Sequence, residues 1–286
     1  MNILLLGSQG NLGTQINKVF NVNHNVIALD KEDLNLLDFY KVERKINSLS
    51  FDLMINCVAY NNVDKCEEDD ESWKTALKLN ADLPAILAKL ALKNNSIFIH
   101  YSSDYVFGKR DRKEPYLEHE VPEPVNRYGL SKYYGEKEVE KLESQGLKYY
   151  LIRTSKLFGP KGVSKNSKSS FFDVMLNLSK KQEELKVVDS EISAFTYTVD
   201  LAESSKHLVD KNYPSGIYHL INKGQATWYQ GAKELFKILK KDVNITSIDS
   251  KDLSRPAKRP NYSLLANTKT KPLEYWKQAL RRYFRN

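Results

Sequence analysis

Tyr128 and Lys132 stand four residues apart in Tyr128-Gly129-Leu130-Ser131-Lys132, about 25 positions after a Ser102-Ser103-Asp104 that closes an apolar run. Four residues is about one turn of α-helix, so the phenol and the ammonium are expected on one face. An ammonium beside a phenol favours the phenolate and is expected to draw the tyrosine pKa from roughly 10 toward neutral pH. Such a tyrosine can pass a proton to a carbonyl oxygen while a hydride arrives at the carbon, with a hydroxyl such as Ser103 holding that oxygen. Taken alone, the same spacing also fits a solvated helix start.

A hydride needs a carrier, and the first residues offer a place for one. Gly7-Ser8-Gln9-Gly10-Asn11-Leu12-Gly13 puts glycines at intervals of three between an apolar run and a helical pattern. Gly7 suits a tight turn, Gly10 lets the backbone approach a pyrophosphate, and Gly13 lets the helix pack close to a sheet. Asp30 ends the next apolar run 23 residues after Gly7, where a carboxylate can accept from the hydroxyls of an adenosine ribose. Asp30 would repel a 2'-phosphate and Lys31 would attract one, so the cofactor is read as NADH or NADPH.

These residues need a frame, and the first half supplies an alternating one. Residues 2–6, 26–29, 53–56, 97–101 and 149–153 read as strands, and residues 12–20, 40–49, 72–92 and 128–143 read as helices. That order implies an α/β fold: a Rossmann-type doubly wound parallel sheet with its site at the carboxyl ends of the strands. After about residue 155 the pattern loosens. A Ser/Lys-rich stretch to Ser170 reads as a mobile loop, followed by helices near residues 171–178, 199–209 and 228–239 and strands near 185–188 and 216–220. The expected division is a dinucleotide-binding domain over residues 1–155, with later segments returning to it, and a smaller C-terminal α/β substrate lobe over 156–286.

Composition narrows the class. No apolar stretch approaches the roughly 20 residues needed to span a bilayer, and Met1 to Gly7 has no basic leader and runs straight into the glycine turn, so it reads as a first strand rather than a signal peptide. Cys57 and Cys66 are too few for a disulfide framework or a structural zinc site. A cytoplasmic protein is expected. The net charge of +8 is scattered over small clusters rather than drawn into the aromatic-interleaved stripe of a nucleic-acid binder, so it reads mainly as solvated surface. No metal site is read: His100, His207 and His219 suit hydrogen-bonded core or surface positions, and Glu67 to Glu71 precede a helix, whose dipole they complement. Trp228 reads as core.

With these motifs placed, the chain resembles the extended short-chain dehydrogenase/reductases and, within them, the dTDP-4-dehydrorhamnose reductase family. The similarity runs nearly full length. It includes Val63-Asp64-Lys65-Cys66-Glu67, Leu79-Asn80-Ala81, Tyr101-Ser102-Ser103-Asp104-Tyr105-Val106-Phe107, Gly135-Glu136, Arg153-Thr154-Ser155 and Arg259-Pro260-Asn261-Tyr262-Ser263. The resemblance implies that Gly10, Asn11 and Leu12 meet the cofactor phosphates and Asp30 the ribose. It puts Asn35 and Leu36 at the adenine, and Ala59, Tyr60 and Asn61 along the cofactor. Tyr128 is implied as proton donor, Lys132 as the holder of the nicotinamide ribose, and Ser103 as the stand-in for the family's threonine. Asp104, Lys156 and Arg259 fall on the substrate side, with Arg259 facing either the diphosphate or a neighbouring acid. The implied reaction is reduction at C4 of a nucleotide-linked 4-keto-6-deoxy sugar for surface polysaccharide, by a monomer or homodimer with no nucleic-acid or membrane partner.

The departures from the family fall on the sugar side. Lys156 stands where the family has tryptophan, Asp189 to Thr196 keeps only the ends of a family segment and is one residue longer, and the stretch from 161 to 170 is extended and lacks an Asn-Phe pair. Two other readings therefore stay open: a reductase or epimerase of a different nucleotide sugar, and a non-catalytic regulatory subunit of the same fold, such as that of methionine adenosyltransferase.

Overall fold

The apolar runs of the first half become strands of one parallel sheet in this computed structural model, which describes residues 1–165 and 167–285. In chain order the elements are β1 (Asn2–Leu6), α1 (Asn11–Phe20), β2 (Asn25–Leu29), α2 (Phe39–Asn47), β3 (Leu53–Asn56), α3 (Val63–Glu68), α4 (Asp70–Leu77), α5 (Leu83–Lys93), β4 (Ile97–Ser103), α6 (Arg127–Glu140) and β5 (Tyr149–Thr154). The second half adds β6 (Leu157–Phe158), α7 (Phe171–Leu178), β7 (Glu184–Val188), β8 (Thr196–Tyr197), α8 (Thr198–Asp210), β9 (Gly216–His219), β10 (Asn222–Lys223), α9 (Trp228–Ile238), β11 (Asn244–Ile248), β12 (Leu273–Tyr275) and α10 (Trp276–Arg285).

The large sheet runs β2-β1-β3-β4-β5-β9, every pair parallel. Strand order reverses at β1, so the crevice between the ends of β1 and β3 is where a ligand is expected. One face of the sheet packs on α2, α5 and α6 through Leu4, Met54, Phe98 and Leu151, and the other on α1 and α8 through Ile3, Leu5, Ile99 and Ile152. Strands buried on both faces read as unbroken apolar runs rather than alternating ones, which is why they stood out in the sequence. A third core, built from Phe158, Phe172, Phe195, Leu235 and Trp276, fills the lobe formed by α7, α9 and α10.

The expected single helix over 72–92 is three pieces: α4, a widened π turn at Lys78–Asp82, and α5. Such turns insert one residue into the ladder, and this one carries the buried Asn80 into position. Helix α6 is fixed from below by a buried ion pair. Arg153 Nε and Nη2 donate to the Glu136 carboxylate at 3.0 and 2.8 Å, with both side chains 1% exposed. The stretch expected to be a mobile loop is instead tied to the glycine-rich turn; residue 166, within that stretch, lies outside the described residues.

Candidate active site

The glycine-rich turn follows β1 directly. Gly7 takes a positive φ of 75°, and a Cβ on Gly13 would lie 2.0 Å from the Gly7 oxygen, so no other residue fits where α1 leaves the sheet. Gly10 caps α1 without a side-chain bond. The amides of the first helical turn are thus uncapped by any side chain and the dipole is positive there, which fits a pyrophosphate. Asp30 accepts from the Gln9 N–H at 2.8 Å and so sits against the turn.

From this turn a cleft of about 660 Å³ runs across the strand ends. It is lined by Gly10 to Gly13, by Ala59, Tyr60 and Asn61 after β3, by Ser102 to Tyr105 after β4, by Tyr128 and Lys132 of α6, and by Thr154, Ser155 and Lys156 after β5. The glycine turn and the Tyr/Lys/Ser set therefore open onto the same space. Asn35 and Leu36 do not join it. Leu36 is buried in the core and Asn35 is exposed, its Oδ1 accepting from Leu37 N.

Tyr128 and Lys132 share a helix face as expected, but their coupling differs from expectation. Lys132 Nζ donates to the Tyr101 carbonyl at 2.6 Å, and its side chain is 1% exposed. Burial brings the ammonium down to about 8, with Glu136 one turn along opposing the shift. Burial also pushes the Tyr128 phenol up to about 12, with the Ser103 hydroxyl pulling the other way. The tyrosine is accordingly a neutral phenol at pH 7, because desolvation of the phenolate outweighs the hydrogen bond from Ser103. Ser103 and Tyr128 are brought together as the sequence suggested.

On the substrate side, two of the expected ligands are already committed. Arg259 makes a two-point pair with Asp64 at 2.8 and 2.7 Å, donates also to the Ala257 carbonyl, and does not line the cleft. Of the two partners open to it, the acid is the one realised. Asp104 lines the cleft, yet its carboxylate is 2% exposed and taken up by hydroxyls: Ser103 donates to Oδ1 at 3.2 Å, and Ser193 and Ser263 to Oδ2 at 2.7 and 2.6 Å. Ser155 Oγ lies 3.1 Å from the same oxygen. Asp104 braces the site rather than offering a free carboxylate to a sugar. Lys156 reaches the cleft wall beside Trp228, which also lines it and is only partly buried, so Trp228 belongs to the site as well as to the core.

Besides Trp228, three residues at the site were not read from the sequence as part of it. Asn80 donates to the Tyr60 carbonyl at 3.1 Å and to Ser131 Oγ at 2.9 Å, while its Oδ1 accepts from Tyr60 N at 2.9 Å. It pins the cofactor-side loop to the helix that carries Tyr128. A lone asparagine inside an apolar helical pattern was the available signal. Ser102 Oγ and Thr154 Oγ1 are buried without a partner among the described residues, and both residues line the cleft. Buried hydroxyls of that kind call for a ligand or a water. Cys57 also lines the cleft, where burial pushes its thiol up and leaves it unreactive.

Comparison with known proteins gives a consistent picture. The RmlD substrate binding domain family matches residues 1–286. Spore coat polysaccharide biosynthesis protein SpsK of Bacillus subtilis is 30% identical, over 98% of this chain and 96% of its own length. The crystal structure of a dTDP-4-dehydrorhamnose reductase from Clostridium acetobutylicum superimposes with a TM-score of 0.90 at 35% identity, covering 100% of this chain and 99% of the other. That of a dTDP-4-dehydrorhamnose reductase from Bacillus anthracis in complex with NADP does so with a TM-score of 0.90 at 29% identity, over 99% and 98%.

Proposed function

The chain belongs to the RmlD substrate binding domain family, and from that premise we propose that it is an NAD(P)H-dependent reductase of a nucleotide-linked 4-keto-6-deoxy sugar. The observation that carries this reading is the single cleft onto which the glycine-rich turn, Ser103, Tyr128 and Lys132 all open. A bound nicotinamide cofactor supplies a hydride to the ketone carbon. The uncapped start of α1 holds its pyrophosphate, Asp30 its adenosine ribose, and the loop from Ala59 to Asn61 flanks it. Lys132, with one N–H on the Tyr101 carbonyl, keeps two donors for ribose hydroxyls.

Tyr128 gives its phenolic proton to the ketone oxygen, and the product is the alcohol. A phenol held near 12 is present in its proton-bearing form throughout the physiological range, which suits an acid in the direction of reduction. When substrate binds, the Ser103 hydroxyl exchanges its bond to Asp104 Oδ1 for one to the ketone oxygen and orients that oxygen toward the proton. A relative that acts in spore coat polysaccharide synthesis supports surface polysaccharide as the destination of the product.

The test is cofactor oxidation with dTDP-4-dehydrorhamnose by the protein and by Tyr128→Phe. Loss of the proton donor should lower kcat by roughly 10²- to 10⁴-fold. Unchanged turnover in the variant would remove Tyr128 from the mechanism. Net consumption of the reduced cofactor separates reduction from a redox-neutral epimerisation.

A further inference from the structure

We propose that Lys156 selects the sugar, by donating a hydrogen bond from its ammonium to an oxygen on the edge of the sugar that faces Trp228. The proposal rests on the reductase reading of this cleft and names the feature its sugar must have: an acceptor oxygen, hydroxyl or carboxylate, at that edge.

Two of the three departures on the substrate side, Lys156 and the 189–196 segment, turn out to be one device. Lys156 Nζ donates to the Glu191 carbonyl at 3.1 Å and to the Ala226 carbonyl at 3.2 Å, and lies 4.3 Å from the ring centre of Trp228 and 5.3 Å from that of Phe195. Glu191 and Phe195 both belong to the 189–196 segment, and Thr196 N donates back to the Lys156 carbonyl at 3.2 Å. The same Glu191 sets the tryptophan: Trp228 Nε1 donates to its Oε2 at 2.9 Å, while Arg255 and Ser250 hold its Oε1. Cation, aromatic wall and rebuilt segment are therefore interlocked.

A surface lysine has no need of such a mount. An ammonium has three donors, and the described residues accept from two, both backbone carbonyls on the lobe side. Lys156 and Trp228 line the cleft together with Ser103, Tyr128 and Asp104, so the third donor is available where a sugar would lie. Lys156 holds a positive φ of 38°, a conformation unfavourable for a long side chain and retained here with the ammonium in its cage. Burial lowers the ammonium to about 8, against Asp104 and Glu191, so it is charged at pH 7 and poorly hydrated. An ammonium in that condition gains more from a ligand oxygen than one in free solvent does.

The measurement is calorimetric binding of dTDP-L-rhamnose and of dTDP alone to the protein saturated with oxidised cofactor, for Lys156, Lys156→Met and Lys156→Asn. Asparagine tolerates positive φ, so that variant guards against misfolding. We expect both variants to bind the dTDP-sugar about 10- to 100-fold more weakly while binding dTDP with unchanged affinity. Among singly deoxygenated analogues of the sugar, one should bind wild type and variants alike, and it marks the oxygen. Equal affinity of all three proteins for the dTDP-sugar, or equal loss for dTDP alone, overturns the proposal. Lys156-dependent binding without cofactor oxidation of any 4-keto sugar would count against the reductase reading alone; full turnover with Lys156-independent binding would count against this inference alone.

Discussion

Lys132 turns its ammonium to the Tyr101 carbonyl, 2.6 Å away, and leaves Tyr128 to Ser103. Two residues one helical turn apart thus carry separate tasks: the tyrosine remains a proton-bearing phenol, and the lysine is a buried cation facing the cleft. Holding that cation out of water costs stability, because burial penalises the charged form.

Lys132→Met should therefore be much less active but more stable than the parent. Folded Lys132 titrates near 8, against 10.5 for the ordinary side chain, which corresponds to about 3 kcal/mol. Below pH 8 the lysine is protonated in both states and the whole cost is present. Between about 8 and 10.5 the folded protein releases its proton while the unfolded chain still binds one, so the parent gains stability with rising pH. Urea unfolding at pH 7 and pH 10 should show the advantage of the variant shrinking from about 3 kcal/mol toward zero, with cofactor oxidation reduced roughly 100-fold at either pH. A variant less stable than the parent at pH 7 would contradict this account.

Asn80→Ala should loosen the cofactor side of the cleft. The substitution leaves Tyr60 N and Tyr60 O without the partner they now share and frees Ser131 from the π turn. The expected loss is about 1–3 kcal/mol of stability, accompanied by a higher KM for the reduced cofactor. Unaltered cofactor KM would show that the Ala59–Asn61 loop is held by other contacts.

Gly162→Ala tests the strap over the glycine-rich turn. Gly162 N donates to Asn11 Oδ1 at 2.9 Å, Asn11 Nδ2 to the Lys168 carbonyl at 2.8 Å, and Ser164 N and Ser167 Oγ to the Gln9 carbonyl at 3.1 and 3.2 Å. A Cβ on Gly162 would meet Gln9 O at 2.4 Å and Gly10 C at 2.5 Å, both backbone atoms that cannot swing aside. The strap should lift, raising the dissociation constant of the cofactor several-fold in a fluorescence titration while thermal stability changes little. Unchanged cofactor affinity would mean that the strap plays no part in holding it.

What was legible in the sequence followed from burial. Strands covered on both faces are unbroken apolar runs, so β1 to β5 stood out, and the glycine spacing gave the turn. Helix α10 did not stand out, because its buried Trp276, Ala279 and Leu280 are outnumbered by lysine and arginines. The π turn was hidden for the opposite reason: its flanks are so regularly apolar that 72–92 reads as one helix. The proposed catalytic set could be read because it lies on a single helix and one strand end. Arg259, Asp104 and Trp228 could not, since their roles depend on partners 195, 159 and 37 positions away. No local pattern distinguishes a guanidinium that meets a phosphate from one that meets Asp64.

Asp104 fastens the end of β4 to Ser155, Ser193 and Ser263 through one buried carboxylate. A fragment ending at β5 would carry that acid without its two shortest donors, and a lobe borrowed from another protein would have to bring hydroxyls to the same point. The first half of the chain is therefore not a unit that can be separated from the rest without leaving this carboxylate short of donors. Within this scaffold the sugar side is altered more readily by residues inside the lobe, and Lys156 with the 189–196 segment that holds its ammonium is the place where such a change would act.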